Sequence, residues 1–512
     1  MKVKSKKLKG KSEKSFETVG LRLRLSVFAF LLLPFAFSFV QAQTETPPAP
    51  SAPRAVKIPA VQEKELPNGL KIVVVERKNV PLATVSLLVK SGANVEDEAL
   101  AGVADLTASL LLKGTKTRSA TQIAEEMEFL GGNINSGANW NASNVTVNVT
   151  SDKLDKALAI MSDVILNPTF SPKEIELYKT QTLDNLNVQL KQPSSLAGFV
   201  ASRYSFDEHS AIGTPESLKR ITQANILKFY REAYLPTDSV LIFTGDISAD
   251  SALSLAKKYF SNWKSSQKPT VKPMTITQER MTKEDRVKFN QKMNIANRFL
   301  VIDLPNSGQA AVTYAKKLDW GRGGVDYYPA LVANTVLGGG YSARLNQEIR
   351  IKRGLSYGAS SSLNWRPSDS NFLARAQTKN ISAAQVAELV AAEMSKLTTD
   401  SVLSDELTPR KLTLTGNFGR SLETTTGLAA QIGELYLYGI PTGELNSYMT
   451  NVQNISDEQV KNFALGNLKG GDIIIVGDAK SFMDDLKKRF PNQKIEVIKA
   501  DELDLSKKNL RK

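Results

Sequence analysis

At 512 residues the chain is too long for one compact core, and its 41% apolar and 23% charged residues are those of an ordinary globular protein. The formal net charge is +14, of which residues 1–42 contribute half, with nine Lys and Arg against two acidic residues. The remaining excess is modest and no basic cluster is interleaved with aromatics, so a nucleic-acid groove is not expected. The sequence has no cysteine, which excludes disulfides, a thiol nucleophile, thiolate metal sites and a lipoprotein anchor.

Residues 1–42 have the pattern of a secretory signal peptide. Basic residues precede an apolar run, 25–40, which ends in Val40-Gln41-Ala42, with small side chains where a signal peptidase cleaves. The run contains Pro34 and is shorter than the roughly 20 residues that span a bilayer, so an uncleaved anchor is the weaker alternative. We therefore expect an exported protein with no stable membrane span. Export without disulfides suits a bacterial periplasm.

Residues 43–60, rich in Pro, Ala and Thr, are predicted to be a flexible lead-in to a first domain, 61–264. Two apolar-rich segments near the start of that domain, 71–75 and 83–89, predict strands, and the simplest interpretation is that they pair as a β-hairpin. A helix over 100–112 is expected to follow and to stop near Gly114.

The rest of the first domain alternates strands and helices. Ser119 and Gln122 fit a capping box at the start of a second helix. Val145, Val147 and Val149 alternate with polar residues, which predicts a half-buried strand. Helices are then expected over 151–165 and 172–190.

The order of elements repeats after a polar, Pro-containing linker at 265–282, which leads to a second domain, 283–500, and a charged tail, 501–512. Segments 239–246 and 472–478 are both β-rich, end in Gly-Asp and lie late in their halves. Segments 145–165 and 372–394 each run from a strand into an Ala-rich helix. Any α+β domain offers some such pairs, but the shared order favours two homologous α+β domains.

Residues 101–115 read Ala-Gly-Val-Ala-Asp-Leu-Thr-Ala-Ser-Leu-Leu-Leu-Lys-Gly-Thr. This segment resembles the metal helix of the pitrilysin, insulinase and mitochondrial processing peptidase family, the inverzincins. In that family His-x-x-Glu-His stands between a similar Ala-Gly-Val-Ala lead and a similar Lys-Gly-Thr exit. Two imidazoles at i and i+4 share a helix face and bind zinc, while the Glu activates the zinc-bound water. The resemblance implies two domains, each a mostly antiparallel sheet with helices packed on one side.

The resemblance places the three motif positions at Asp105, Ala108 and Ser109, and the downstream Glu that completes the family's zinc site at Asn185, with Tyr178 one repeat earlier. All four differ from the family's residues. A chain with one His and no Cys lacks the usual zinc ligands in any case. We therefore expect no metal and no cofactor here. A weak site for magnesium, calcium or manganese at Asp105 with Asp184 is the lesser alternative.

The single histidine, His209, follows Asp207 and Glu208 in a polar stretch and is interpreted as a surface or turn residue. A serine triad of His209 with Ser109 and Asp105 is conceivable. No nucleophile-elbow motif supports it, so we do not favour it.

Residues 337–357 look like the family's C-terminal-domain signature. The glycine run at its start lacks the Lys-Ser/Thr of a P-loop, so a tight turn before a helix is the better interpretation. In the family an Arg, and a Tyr seven residues later, grip substrate carbonyls and the tetrahedral oxyanion, and Arg350 and Tyr357 match that pair. A guanidinium and a phenol suit this role because both donate to developing negative charge. Alternatively, Arg350 pairs with a surface acid and Tyr357 merely fills a strand position.

Family members of this length tend to pair, and in some bacterial pairs one chain bears zinc while the other bears Arg and Tyr. The resemblance therefore implies that this chain is the zinc-less subunit of a periplasmic zinc metallopeptidase. Its expected partners are a zinc-bearing subunit of the same family and a peptide or unfolded polypeptide, bound as an extended strand on a sheet edge. A non-enzymatic scaffold or peptide-binding protein is the second hypothesis. An enzyme active on its own is the third, and the missing ligands disfavour it.

Overall fold

The computed structural model describes residues 58–264, 282–291 and 293–512, so the predicted signal peptide, most of the lead-in and nearly all of the linker lie outside the described residues. The described chain contains two six-stranded sheets, one in each half. The strands of the first sheet are β1 Gln62–Glu65, β2 Lys71–Glu76, β3 Leu82–Val89, β4 Asn133–Ala138, β5 Ser143–Thr150 and β6 Ser239–Gly245. Those of the second are β7 Ala296–Asp303, β8 Ala310–Leu318, β9 Ser356–Asn364, β10 Ser370–Thr378, β11 Gly471–Gly477 and β12 Ile495–Lys499.

Helices connect and cover these strands. In the first half they are α1 Val103–Leu110, α2 Ala120–Phe129, α3 Leu154–Leu166, α4 Pro172–Gln189, α5 Pro193–Phe206, α6 Pro215–Arg220, α7 Gln223–Ala233 and α8 Ala249–Phe260. In the second half they are α9 Lys283–Gln291, α10 Tyr327–Leu337, α11 Arg344–Asn346, α12 Ala383–Thr399, α13 Ser404–Glu423, α14 Thr425–Tyr438, α15 Glu444–Gln453, α16 Asp457–Asn467 and α17 Met483–Arg489. None of the helices in the described ranges combines the length and the hydropathy needed to cross a membrane.

The two sheets share one topology. The order is β1-β2-β6-β3-β5-β4 in the first and β12-β7-β11-β8-β10-β9 in the second, so five strands of each sheet take equivalent places and only the outermost differs. The predicted hairpin of 71–75 with 83–89 is wrong, because β6 lies between β2 and β3 and pairs with both. The two Gly-Asp segments form β6 and β11, which occupy equivalent interior positions in the two sheets. This correspondence accords with the duplication inferred from the order of elements.

Both sheets are mostly antiparallel, with parallel pairs between β2 and β6 in the first and between β7 and its two neighbours in the second. The helices of each half cover one face of their own sheet, as expected. The opposite face of each sheet is also covered, because one helix from each half packs on the sheet of the other half. Helix α5 packs on the second sheet through Leu196 and Val200, and α14 packs on the first through Leu428 and Ile432.

Several local predictions are confirmed. Ser119 and Gln122 form the capping box at the start of α2, and β5 alternates buried and half-buried residues as the valine pattern indicated. Helix α1 is shorter than the predicted 100–112, because it tightens into a 3₁₀ turn at Leu111–Lys113. The end of the chain, predicted to be a charged tail, folds back through a bridge between Leu503 and Arg511, and Leu510 is fully buried.

Candidate functional site

The N-terminus of α1 is fixed by a buried carboxylate that the sequence analysis missed. Gly102 precedes the helix with φ of +96°, a conformation that favours glycine. The Glu96 side chain, with 0% exposure, accepts hydrogen bonds from the backbone N–H groups of Gly102 and Ala104, each at 2.8 Å. A carboxylate at this position satisfies amides that have no partner inside the helix and complements the helix dipole.

The single histidine supports the same carboxylate, so the interpretation of His209 as a surface residue is wrong. Its Nε2 lies 3.0 Å from Glu96 Oε1, its side chain is only 10% exposed, and its ring contacts that of Trp140 at a centroid distance of 4.9 Å. Burial raises the pKa of the Glu96 carboxyl, while the hydrogen bonds from His209 and the two amides oppose that shift. The histidine therefore positions the start of α1 and is not set up as a base for a serine nucleophile.

Asp105 lies in the first turn of α1, at the position that the resemblance assigns to the family's first zinc-binding His. Burial, together with repulsion from Glu96, raises the pKa of its carboxyl to about 6. Asp105 is thus a carboxylate whose ionisation the surrounding protein opposes.

The other two motif positions are occupied by non-ligands. Ala108 is fully buried, and its carbonyl accepts a 2.6 Å hydrogen bond from the Ser136 hydroxyl of β4. Ser109 accepts a 2.8 Å hydrogen bond from the Tyr178 hydroxyl on α4. A tyrosine–serine contact therefore occupies the position that the resemblance assigns to the second imidazole. Burial raises the pKa of the Tyr178 hydroxyl.

These residues do not fit zinc. Asn185 and Asp184 on α4 are both exposed, and the α1 positions offer one carboxyl, one methyl and one hydroxyl that is already hydrogen-bonded to a phenol. Zinc sites in proteins are built from His, Cys and carboxylate ligands in a tetrahedron. Across the part of the chain that the structure describes, no group of three or more His, Cys, Asp or Glu side chains is arranged to hold a metal ion.

Strand β4 lies at the edge of the first sheet, paired only with β5, and its Ser136 contacts α1 directly. Its sequence, Asn-Ile-Asn-Ser-Gly-Ala, carries no charge. Charged residues and proline are what usually protect a free strand edge from pairing. An uncharged edge beside the altered helix is therefore open to pairing with an extended peptide.

The second signature segment forms a turn between α10 and α11 and then the edge strand β9. A Cβ at Gly338 would lie 2.2 Å from the Ser361 amide nitrogen, and one at Gly339 would lie 2.7 Å from Thr335 Cα. The glycines are therefore needed where the turn passes close to β9 and α10, and a phosphate cradle is not required to explain them.

Arg350 and Tyr357 both project from irregular backbone. Arg350 lies in a π-helical turn, Gln347–Ile351, and Tyr357 lies at a β-bulge where the register of β9 with β10 shifts. Such irregularities are frequent at functional sites because they re-aim side chains. The Tyr357 side chain is 88% exposed, so it does not fill a packed strand position.

The alternative in which Arg350 pairs with a surface acid is not what the structure shows. Its guanidinium lies 5.0 Å from the centroid of the Tyr341 ring, and it has no carboxylate partner within the described ranges. Arg350 and Tyr341 line a groove of about 650 Å³ together with the glycine turn and the first half of β9. Tyr341 was not among the site residues predicted from the sequence. Its position directly after the glycines was the available signal.

Comparison with known proteins shows which family the chain resembles. Residues 71–204 match the family "Insulinase (Peptidase family M16)" and residues 220–411 match "Peptidase M16 inactive domain". An uncharacterized zinc protease of Rickettsia felis is 26% identical over 432 residues, which cover 82% of this chain and 98% of that protein. One from Mycobacterium tuberculosis is 24% identical over 416 residues, covering 80% and 91%.

Solved structures of M16 proteins and of a protease have a similar fold. A peptidase M16 inactive domain from Pseudomonas fluorescens superposes with a TM-score of 0.72 at 25% identity, covering 81% of this chain and 98% of that one. A protease from Helicobacter pylori gives 0.74 at 20% identity, covering 82% and 100%, and shows the shared fold. Fold and sequence thus define a two-domain protein of the processing-peptidase type. The chain belongs to peptidase family M16.

Proposed function

We propose that this chain is the zinc-less subunit of a two-chain, periplasmic M16 metallopeptidase. The observation that carries the proposal is a contrast within one chain. The zinc-helix positions hold Asp105, Ala108 and a Ser109 bonded to Tyr178, whereas Arg350 and Tyr357 remain accessible and unpaired with any carboxylate in the described part of the chain. A chain that served only as a scaffold would have no chemical need for that pair.

The role we assign to the pair is stabilisation of negative charge on a substrate carbonyl. A partner subunit carries the zinc, as relatives named zinc proteases suggest. Arg350 and Tyr357 donate hydrogen bonds to the scissile carbonyl oxygen as it becomes an oxyanion. Guanidinium and phenol donors held in a chamber from which water is excluded act strongly because the local dielectric is low.

We infer peptide binding from the unpaired edges of the two sheets. Strand β4 is the edge strand of the first sheet and lies beside α1, and β9 is the edge strand of the second sheet and lies beside the Arg350 groove. Neither strand carries a charged residue. An extended peptide pairs its backbone with such an edge and is held without a strong demand on its sequence. The chain then supplies one wall of the chamber and part of the peptide site. The export signal predicted for residues 1–42 supports the periplasmic location.

The test is reconstitution with a zinc-bearing M16 relative from the same genome. Size-exclusion chromatography at micromolar concentration should show a complex, and the mixture should cleave unfolded polypeptides faster than either chain alone. Arg350→Ala should reduce kcat by about 100-fold or more, the usual effect of removing one oxyanion donor. Arg353→Ala is the matched control, because Arg353 is already paired with Glu348 nearby. Absence of a complex would refute the proposal.

The second candidate is a non-enzymatic scaffold or peptide-binding subunit. The likeness to a solved structure whose name describes an inactive domain favours it. It predicts the same complex and the same peptide binding, with equal activity for wild-type and Arg350→Ala mixtures. The Arg350 variant therefore separates the two candidates.

A further inference from the structure

A second groove lies between the halves, away from Arg350. It encloses about 530 Å³, and we call it the serine groove because its walls carry four serines together with one arginine: Ser194, Ser195, Ser202, Ser210 and Arg375. The volume is within the range of sites that hold a small ligand or a side chain. Phe199 and Ile212 add apolar wall, and no carboxylate lines the groove.

Among the described residues that line the serine groove, Arg375 alone is charged. It stands on β10, opposite Thr313 of β8 and Ser360 of β9, on the sheet face that Leu373 shares and that α5 partly covers. The guanidinium is open to solvent at the groove, yet neighbouring protein atoms desolvate it and lower its pKa. No carboxylate in the described ranges offsets that cost. Arg375 is exposed, and a guanidinium that has no carboxylate partner in the described ranges can bind an external carboxylate.

The four serines supply hydroxyl groups that can donate hydrogen bonds to an anion. None of their four hydroxyls bonds to another group within the described part of the chain, so each can donate to a ligand oxygen. The first turn of α5 borders the groove at Ser194 and Ser195, and its positive end adds to the field of Arg375. The groove is therefore positive and rich in donors, and its apolar wall suits a short methylene stem.

The position of the groove relates it to the peptide path. Gln189, which lines it, stands one helical turn after Asn185 on α4. Residues at i and i+4 share a helix face, so the groove continues along the side of α4 that passes the altered zinc position. A ligand there would be part of a chain lying in the same chamber.

We propose that the serine groove is a carboxylate-binding subsite for the peptide substrate, in which Arg375 grips an acidic side chain or the C-terminal carboxylate. This rests on the proposed function in so far as the ligand is a peptide. Two parallel N–H···O bonds from Arg375 hold the carboxylate, and the serine hydroxyls complete its hydrogen bonding. The subsite favours acidic peptides and fixes how far along the edge strand the peptide lies.

The test measures binding by this chain alone, with no partner subunit. Fluorescence anisotropy compares three peptides of one extended sequence: one with an internal Glu and an amidated end, one with Gln and a free C-terminus, and one with Gln and an amidated end. We expect at least one of the carboxylate peptides to bind about 10-fold more tightly than the neutral one, as a charge-assisted pair provides. Whichever peptide gains affinity identifies the source of the carboxylate.

The variants separate this subsite from general charge effects. Arg375→Gln should remove the preference, and Arg375→Lys should keep only part of it because the planar fork is lost. Arg420→Gln is the control. It removes one exposed positive charge on α13, where the side chain donates to Asn417 and to no other group among the described residues, and it should leave the preference intact. Thermal unfolding confirms that each variant is folded.

Three results would overturn the proposal: equal affinity for all three peptides, a preference that survives Arg375→Gln, or Arg375-dependent binding of inorganic phosphate without binding of either carboxylate peptide. The outcome is independent of the partner experiment. If the peptides show no carboxylate preference while hydrolysis by the complex still depends on Arg350, only the subsite proposal is refuted. If peptide binding depends on Arg375 but no complex with a partner forms, the two-chain enzyme is refuted and the subsite proposal stands.

Discussion

The Tyr178 hydroxyl donates a 2.8 Å hydrogen bond to Ser109 Oγ and so joins α4 to α1. The family resemblance assigns a zinc-binding imidazole to the position of Ser109, which here makes a helix–helix contact. Ser109 and Tyr178 stabilise the packing of the two helices directly, and no ion is needed between them.

We accordingly expect zinc to have no effect on the stability of this chain. A ligand that binds the native state at 100 times its Kd adds about 2.7 kcal/mol to the free energy of unfolding, which calorimetry detects easily. Scans with added zinc chloride and with EDTA should give the same Tm, and elemental analysis should find no stoichiometric metal. The zinc-bearing relative is the positive control. A zinc-dependent rise in Tm here would contradict the site description.

Asp105→Asn should stabilise the protein at neutral pH. The folded-state pKa of about 6 lies above the ordinary value of 3.8, so between these values the native state binds more protons than the unfolded state. Stability therefore falls as pH rises through this window, and the amide removes that loss, worth roughly 2–3 kcal/mol above pH 6. Urea unfolding at pH 4, 6 and 7.5 measures it. Asp184→Asn, at an exposed position on α4, should change stability by less than about 0.5 kcal/mol at every pH.

Glu208→Ala should strongly destabilise the contact between the halves. Its carboxylate accepts two 3.1 Å hydrogen bonds from Arg366 and one of 2.9 Å from Asn371, and both charged side chains are nearly buried. Removing one member of a buried ion pair costs about 3–5 kcal/mol because the other charge is left unpaired. Equilibrium denaturation measures the loss. The partly exposed Glu496, which accepts hydrogen bonds from Arg511 and from the Tyr204 hydroxyl, is the control, and its alanine variant should cost less than about 1 kcal/mol.

Tyr357→Phe should lower kcat of the reconstituted complex and leave peptide affinity unchanged. The ring is almost fully exposed in this chain, so the hydroxyl can be removed without disturbing the fold. Loss of one donor to an oxyanion costs about 100-fold or more in kcat. Steady-state kinetics with a saturating peptide test this, and Tyr341→Phe, which removes a hydroxyl from the lining of the Arg350 groove, serves as the comparison. An unchanged kcat for Tyr357→Phe would remove the tyrosine from the proposed chemistry.

Local patterns in the sequence predicted most elements, because capping and side-chain alternation act over a few residues. The capping box at Ser119 and the alternation around Val147 are examples. Pairing over long distances was not predictable in this way. Strand β6 enters between β2 and β3 from about 150 residues further along the chain, and no property of residues 71–89 indicates it.

The same limit applied to the site. The difference between the family's His-x-x-Glu-His motif and Asp105, Ala108 and Ser109 could be seen in the sequence, because such motifs are local. The support of His209 for Glu96 joins residues 113 positions apart and needed the tertiary structure. The desolvation of Arg375 also depends on the helix packed above it, which comes from the other half of the chain.

The exchange of helices between the halves limits how this protein can be divided or moved. With α14 removed, Val73, Val75, Val240 and Ile242 of the first sheet would face water, and without α5 the second sheet would expose Leu300 and Ile474. We therefore expect either half, produced alone, to expose this apolar surface and aggregate, and proteolysis between the halves should leave a nicked but associated molecule. On the proposed function, a chamber that admits a polypeptide would accordingly open by separation of the two subunits and not by unfolding of this chain.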